Sequence, residues 1–270
     1  MSVKKQLPTC KLLYRTHVWP FTDDTSRTKG ISQQSVLARL QKGISEYNGI
    51  STRKYDYELV ILYDNASDNL GDPLAFAVHD FTVKDIIANG FVTNKCPNFN
   101  YPITPGDKTE RFLKGNPLWF NGEFGTLDYY LRSDSSAAYY WNIEYDSWPS
   151  GDFAKYLLAY DSVDDGFLAY NLSVKGGGGS WWPWWEIVSG FDPLNNYGCH
   201  FAVFRLSNDA VKTLVSGHRS GIRGYCESLV PTYLDYKGFA CSDLKEHDSS
   251  YAGHCVIKHG EHGTLLSRGW

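Results

Sequence analysis

The chain has 270 residues, a formal net charge of −4 and no cluster of Lys and Arg, which argues against nucleic-acid binding through phosphate neutralisation. It contains no apolar run of about 18 residues, so no transmembrane segment is expected, and its N-terminus lacks the apolar stretch of a secretory signal. Six scattered cysteines without a C-x-x-C pair indicate free thiols rather than disulfides or a zinc site. We therefore expect a cytoplasmic protein, free or peripheral at the inner face of the membrane.

Hydrophobic patterning predicts strands that alternate with helices. The near-continuous apolar run at 57–63 is typical of a buried parallel strand, whereas apolar residues at helical spacing over 32–47 predict an amphipathic helix. This alternation favours an α/β fold, with a mostly parallel sheet flanked by helices and a less regular C-terminal half. In chain order we expect strands at 10–19, 57–63, 75–79, 138–146, 166–172 and 199–206, and helices at 32–47, 83–88, 120–132, 153–158, 207–215 and 224–234.

Two acidic residues end the strand that begins at Tyr139. Side chains alternate between the faces of a strand, so Glu144 and Asp146 should point the same way. Ligands of open α/β sheets bind at the carboxyl ends of the strands, where carboxylate oxygens suit Mg²⁺ or Mn²⁺. The pair therefore predicts a metal site that would also hold a substrate diphosphate, although two solvated acids at a strand end are the commoner occurrence.

A second polar strand end lies upstream, after the apolar run at 57–63. An acid there could accept hydrogen bonds from a ribose or a base, although residues of these types also form ordinary turns. The residues concerned are Asp64, Asn65, Ser67 and Asp68.

Together these two strand ends resemble the nucleotide-sugar-binding half of glycosyltransferases with the GT-A fold, which is Rossmann-like. The segment 63–68 is similar to the D-x-x-S-x-D element of such enzymes, and 141–146 resembles a W-x-x-E-x-D variant of their D-x-D motif. The resemblance covers residues 10–150 and implies that the first strand end binds the donor and the second binds the metal. Because Glu replaces the first Asp of the motif, Asp146 is the more secure ligand.

The second half of the chain offers candidates for deprotonating an acceptor hydroxyl. Glu227 follows the strand–helix unit at 199–216 and is the first choice for the general base, with Asp192 as the second. An exposed acid in the first turn of a helix is the competing interpretation for Glu227.

A glycine run at 176–179 precedes four tryptophans, which either pack in the core or close over a bound acceptor. His259 is a candidate third metal ligand, and Arg205 and Lys258 are candidate phosphate partners. Surface positions, or a loose tail for His259, are the alternative for these three. The tryptophans are Trp181, Trp182, Trp184 and Trp185.

The sequence thus predicts one GT-A-like domain over 1–270, with a donor half at 10–150 and an acceptor half at 151–270. The expected function is a metal-dependent glycosyltransferase that takes a sugar-diphosphate donor and a glycan or lipid-linked glycan acceptor, as in bacterial surface polysaccharide synthesis. Three alternatives remain: a phosphoribosyl-diphosphate-dependent transferase, a nucleotidyltransferase or phosphohydrolase, and a carbohydrate-binding protein that uses the tryptophans.

Overall fold

Seven strands form one central sheet whose two faces are covered by helices. The computed structural model describes residues 6–16, 31–64, 77–91, 121–133, 136–145, 147–177, 188–248 and 257–259. The strands are β1 Thr9–Thr16, β2 Asp56–Asp64, β3 Ala77–Phe81, β4 Tyr139–Glu144, β5 Ser147–Pro149, β6 Phe167–Val174, β7 Val188–Ser189, β8 Tyr197–Ser207, β9 Arg223–Gly224, β10 Cys241–Asp243 and β11 Ile257–His259. The helices are α1 Gln33–Asn48, α2 Val83–Ala88, α3 Phe124–Arg132, α4 Phe153–Ala159, α5 Asn208–Ser220, α6 Cys226–Tyr236 and α7 Leu244–Asp248.

The sheet has the strand order β10-β6-β8-β4-β1-β2-β3. Strand β1 is parallel to β2 and β4, β2 is parallel to β3, and β10 is parallel to β6. Only β8 runs against its neighbours β4 and β6 within this described sheet. The predicted α/β architecture, with a mostly parallel sheet flanked by helices, is therefore confirmed, and it is consistent with a Rossmann-like fold. The C-terminal half, which we expected to be less regular, supplies three of the seven strands.

Two cores lie on opposite faces of the sheet. The first face packs against α3, α5 and α6, and it buries Leu13 of β1 and Tyr140 of β4. The second face packs against α1 and α4, and it buries Tyr14 of β1 and Trp141 of β4. Neighbouring residues of a strand thus enter different cores, as strand alternation requires. This alternation decides which face each polar residue at a strand end occupies.

Side-chain caps mark the starts of α1 and α5. Ser32 caps α1 by accepting from the Ser35 backbone N–H, and Ser207 caps α5 by accepting from that of Ala210. Such caps satisfy amide donors that have no partner inside the helix. Four cysteines lie within the described residues, and all four are free thiols, as expected. In the same part of the chain, no helix combines the length and the apolar character that crossing a membrane requires.

Candidate functional site

The carboxyl ends of β1 and β4 meet at one edge of the sheet. Arg15 of β1 is in register with Glu144 of β4, and Thr16 is in register with Tyr63 of β2. Because Leu13 faces the first core, Arg15 faces the same side, two residues further along the strand. The alternation of β4 places Glu144 on that face too. A cation and a carboxylate therefore occupy adjacent positions at the edge where α/β sheets bind ligands.

Glu227 lies at the same edge, although it belongs to a different part of the chain. Strand β8 is antiparallel to β4, with Val203 in register with Ile143, so Phe201 lies level with the end of β4. The backbone N–H of Phe201 donates to Oε1 of Glu227 at 3.4 Å. The sheet thus positions the first turn of α6 next to Glu144.

The environment of Glu227 favours its protonated form. Burial in the protein and the nearby charge of Glu144 raise the pKa of Glu227 from its ordinary value of 4.5 to about 8. Hydrogen bonds from the Phe201 amide and the Tyr225 side chain act in the opposite direction but do not outweigh burial. We refer to Arg15, Glu144, Tyr225 and Glu227 as the carboxylate cluster.

A proline modifies the helix that carries Glu227. Pro231 lies inside α6 and lacks the N–H that would bond to the carbonyl four residues earlier, which is that of Glu227. The thiol of Cys199 donates to this carbonyl instead, at 3.3 Å. The first turn of α6 is thereby tied to β8, which fixes Glu227 relative to the sheet.

The turn before α3 supports the cluster from the first face. Arg15 Nη1 donates to the carbonyl of Gly122 at 3.1 Å. A Cβ atom added at Gly122 would lie 3.0 Å from the Phe201 ring and 3.3 Å from the Cys226 sulfur, so the backbone is in close contact with β8 and α6. Burial raises the pKa of the Cys226 thiol well above its usual range, which excludes this thiol as a ready nucleophile.

For some predicted site residues the structure describes the backbone alone, and others lie outside the described residues. Asp64 ends β2 beside Phe81 of β3, and only its backbone is described. Within the described residues, no group of three or more His, Cys, Asp or Glu side chains could hold a metal ion. The predicted residues outside the described ranges are Asn65, Ser67, Asp68, Asp146, Trp181, Trp182, Trp184 and Trp185.

The C-terminal region returns to the acidic strand end. Strand β11 pairs antiparallel with β5, so that His259 is in register with Ser147 and Lys258 with Trp148. Ser147 directly follows Asp146. The backbone of His259 therefore lies beside the residue that follows the predicted metal ligand, as a contribution from His259 would require.

Two predictions need correction. Arg205 exposes 1% of its surface, and its guanidinium group lies 4.1 Å from the ring centroid of Tyr139, at the opposite end of β4 from Glu144. It donates to three backbone carbonyls, so its charge is already used in the core and it is not placed to bind a phosphate. Asp192 is exposed, and its neighbour Phe191 packs against Tyr236 at the far end of α6 from Glu227. This position separates Asp192 from the carboxylate cluster.

Sequence reasoning missed Arg15 and Tyr225. Arg15 interrupts an apolar strand near its carboxyl end, and its register with Glu144 depends on strand pairing between distant segments. Tyr225 precedes α6, and only the folded structure reveals its hydrogen bond to Glu227. For Arg15, the sequence offered one signal of a functional role: it is a charged residue on the same face of the strand as the core residue Leu13.

Comparisons with known proteins give structural similarities of low degree. No protein-family model matches the chain, and a comparison with curated proteins gives no match. An inositol-1-phosphate CTP transferase from T. maritima aligns over 95% of this chain and 90% of its own, with 10% identity and a TM-score of 0.40. HddC from Yersinia pseudotuberculosis aligns over 76% and 79%, with 10% identity and a TM-score of 0.30; its complex with GMP-PN has 9% identity and a TM-score of 0.31. At these values the assignment of function depends on the geometry of the site.

Proposed function

We propose that this protein is a metal-dependent glycosyltransferase of the GT-A type whose donor carries a diphosphate leaving group. One observation carries the proposal. Glu144 and Glu227 lie at the same edge and face of the sheet, although they are 83 positions apart in the sequence. They are close enough for the charge of Glu144 to contribute to the raised pKa of Glu227. Arg15 lies in register with Glu144 in this cluster. Convergence of acids from distant segments at this edge is typical of a binding or catalytic site.

The donor set fits a hard divalent cation. Burial is the main cause of the raised pKa of Glu227, and the charge of Glu144 adds to it, so a divalent cation beside Glu144 would offset the repulsion between the two carboxylates. Glu144 and Asp146 would hold Mg²⁺ or Mn²⁺ through oxygen atoms, with His259 as a third ligand. When bound, the ion supplies stabilisation of the negative charge that develops on a departing diphosphate.

Glu227 is proposed as the general base. It would accept the proton of an acceptor hydroxyl while the hydroxyl oxygen bonds to the anomeric carbon and the bond from that carbon to the diphosphate breaks. A base with a pKa near the working pH combines a useful deprotonated fraction with sufficient basicity, which a carboxylate at its ordinary pKa lacks. The Tyr225 hydroxyl, which donates to Glu227, would hold the carboxylate in one orientation.

The remaining assignments follow from the GT-A resemblance. The segment from Asp64 to Asp68 would bind the base or ribose of the donor, and Lys258 would approach its phosphates. The four tryptophans at 181–185 would border a glycan or lipid-linked glycan acceptor. Synthesis of bacterial surface polysaccharide is the corresponding pathway. Phosphoribosyl diphosphate is the alternative donor, since it presents the same metal-bound leaving group.

A donor screen tests this function. Nucleoside-diphosphate sugars and phosphoribosyl diphosphate are incubated with the protein and Mg²⁺ or Mn²⁺, and release of nucleoside diphosphate or pyrophosphate is measured. A parallel arm supplies nucleoside triphosphates with sugar phosphates, since pyrophosphate release there indicates nucleotidyl transfer instead. We expect metal-dependent release from a glycosyl diphosphate. Stabilisation by free oligosaccharide, with no release from any donor, would favour a carbohydrate-binding protein.

The Glu227→Gln variant separates the base role from donor binding. We expect it to bind the donor with unchanged affinity and to lose transfer, because glutamine keeps the shape of the side chain but cannot take up the proton. Glu46→Gln changes an exposed glutamate of α1 that pairs with Lys42 and serves as the matched control. A fully active Glu227→Gln variant would exclude the base role.

A further inference from the structure

A cavity of about 340 Å³ lies between α5 and the C-terminal half of α6. Glu227 is in the first turn of α6 and Tyr236 is its last residue, so the two are about 14 Å apart along the helix axis. The cavity is therefore separate from the carboxylate cluster. Two chemically different walls line it, one of hydroxyl groups and one of aromatic rings.

The hydroxyl wall belongs to α5. Thr213, Ser216 and Ser220 line the cavity, and their spacing of three and four residues places them on one face of the helix. Ser216 and Ser220 are exposed, and Thr213 is half-buried. Each hydroxyl can both donate and accept a hydrogen bond. A row of such groups is suited to a ligand that is itself rich in hydroxyls.

The aromatic wall consists of Phe191 and of Tyr233 and Tyr236 from α6. The ring centroid of Phe191 lies 5.1 Å from that of Tyr233 and 5.3 Å from that of Tyr236. Tyr233 is buried, whereas Tyr236 leaves 46% of its surface exposed. A large aromatic ring that remains this exposed next to a cavity offers an apolar surface with a polar hydroxyl tip.

Two glycines fix the distance between the walls. A Cβ atom at Gly217 would lie 2.5 Å from the Tyr233 ring, so only glycine lets this ring lie against the backbone of α5. Gly190, which also lines the cavity, has φ of +91° and would place a Cβ atom 2.6 Å from the Gly221 carbonyl oxygen. The walls are thus held in place without a ligand, which lowers the entropic cost of binding one.

The charge of the cavity is low. Lys237 is the one charged residue among the described residues that line it. Its ammonium group lies 4.9 Å from the Tyr236 ring centroid and 5.4 Å from that of Tyr233, a distance at which it interacts with the rings. No arginine accompanies it on these walls, so the cavity lacks a bidentate phosphate-binding group.

We propose that this cavity is a binding site for a neutral oligosaccharide. A pyranose ring has an apolar face of C–H groups that packs against an aromatic ring, and a rim of hydroxyls that exchange hydrogen bonds with Ser and Thr. The exposed ring of Tyr236 and the hydroxyl row of α5 supply these two kinds of contact in one cavity. The identity of the oligosaccharide rests on the proposed transferase function: in a transferase, the site would hold the part of a glycan acceptor that is remote from the transfer site.

Calorimetric titration with neutral hexasaccharides tests the site directly. The probes are the hexaoses of cellulose, amylose, mannan and xylan, each titrated into the full chain with a chelator and without a donor. Binding is then measured independently of transfer, so that failure of the proposed function does not affect the result. We expect at least one hexaose to bind the wild-type protein, and Tyr236→Ala to weaken its binding at least tenfold.

Two further variants make the outcome decisive. Ser216→Trp places a bulky side chain at an exposed position of the hydroxyl wall and should also weaken binding at least tenfold. Leu194→Ala removes a side chain that is 99% exposed and does not line the cavity, and it should bind as the wild type does. Absence of binding by all four hexaoses, or unchanged binding in either Tyr236→Ala or Ser216→Trp, would overturn the proposal.

Discussion

His218 Nε2 lies 3.1 Å from Glu123 Oε1, and the two side chains expose 1% and 0% of their surface. Neither side chain makes a hydrogen bond within the described residues, and the ring of Phe124 lies edge-on to His218 at 4.9 Å. Glu123 directly follows Gly122, whose carbonyl accepts the hydrogen bond from Arg15. The buried pair thus joins the end of α5 to the turn that supports the carboxylate cluster.

Breaking this pair from one side should be costly. His218→Phe keeps a ring of similar size but removes the imidazole nitrogen that lies 3.1 Å from the buried carboxylate of Glu123. We expect the free energy of unfolding to fall by about 3 kcal/mol. The double variant Glu123→Leu/His218→Phe should recover most of that loss, because two apolar side chains need no polar partner. Urea unfolding of the single and double variants measures both effects.

An exposed pair provides the control for this cycle. Lys42 Nζ and Glu46 Oε1 lie 3.7 Å apart on the surface of α1. Glu46→Ala should change the free energy of unfolding by less than about 0.5 kcal/mol, as is usual for exposed ion pairs. If His218→Phe were as mild as Glu46→Ala, the pair would not hold the turn in place.

Local patterns predicted the parts of the site that depend on single strands and helices. The face and edge occupied by Glu144 follow from strand alternation and from the rule for ligand sites in parallel sheets. The position of Glu227 after a strand–helix unit was also readable. The burial of Glu227 and its contact with the Phe201 amide were not, because Phe201 is brought to this edge by the pairing of β4 with β8.

Arg205 shows why the prediction failed where it did. A charged residue in an apolar strand suggests a functional role, because the neighbouring residues in the sequence do not show which groups surround it in the fold. Its partners are carbonyls about 40 residues away in sequence, in the segment that follows α4. The pairing of His259 with Ser147 could not be predicted either, because each strand has only three residues, too few for a recognisable alternation of apolar and polar residues.

Replacement of Arg205 tests its corrected role. Arg205→Met keeps most of the aliphatic volume but removes the donors to the carbonyls of Tyr160, Val163 and Asp165. We expect a loss of about 3 kcal/mol in the free energy of unfolding, since buried acceptors lose charged donors. The KM for the donor should not change. Arg219→Met, the control, removes an exposed arginine that is hydrogen-bonded to one carbonyl, and it should lower the free energy of unfolding by less than half as much. A raised KM for the donor in Arg205→Met would instead support the phosphate-binding role of Arg205.

The raised pKa of Glu227 predicts a pH-dependent stability. In the folded protein this pKa is about 8, compared with an ordinary value of 4.5, so the folded state binds more protons between these pH values. The contribution of Glu227 to the free energy of unfolding therefore falls as the pH rises from about 4.5 to 8. Glu227→Gln, which cannot ionise, should be more stable than the wild type at pH 9 and nearly equal to it at pH 4.5.

Thermal unfolding in the presence of a chelator measures this difference. Glu46→Gln serves as the control, because an exposed glutamate should give the same Tm difference from the wild type at both pH values. A Glu227→Gln variant with no gain in relative stability at pH 9 would show that the carboxylate of Glu227 is well solvated. Such a result would also remove the physical basis for its role as a base at neutral pH.

The register of β11 with β5 leads us to predict different responses to Mn²⁺ and Mg²⁺. Strand β11 brings the backbone of His259 beside Ser147, one residue after Asp146. If the imidazole completes the metal site, His259→Ala should weaken Mn²⁺ binding about tenfold, or about 1.4 kcal/mol, and Mg²⁺ binding less, because Mg²⁺ prefers oxygen ligands. Asp146→Asn should weaken both by more than that, whereas Lys258→Ala removes a cation that cannot coordinate a metal and should weaken neither. Calorimetric titration of the four proteins with each metal tests these assignments. Wild-type affinity of Asp146→Asn for both ions would place the metal elsewhere. Wild-type affinity of His259→Ala for Mn²⁺ would exclude His259 as a ligand and leave the carboxylates to bind the ion at this edge.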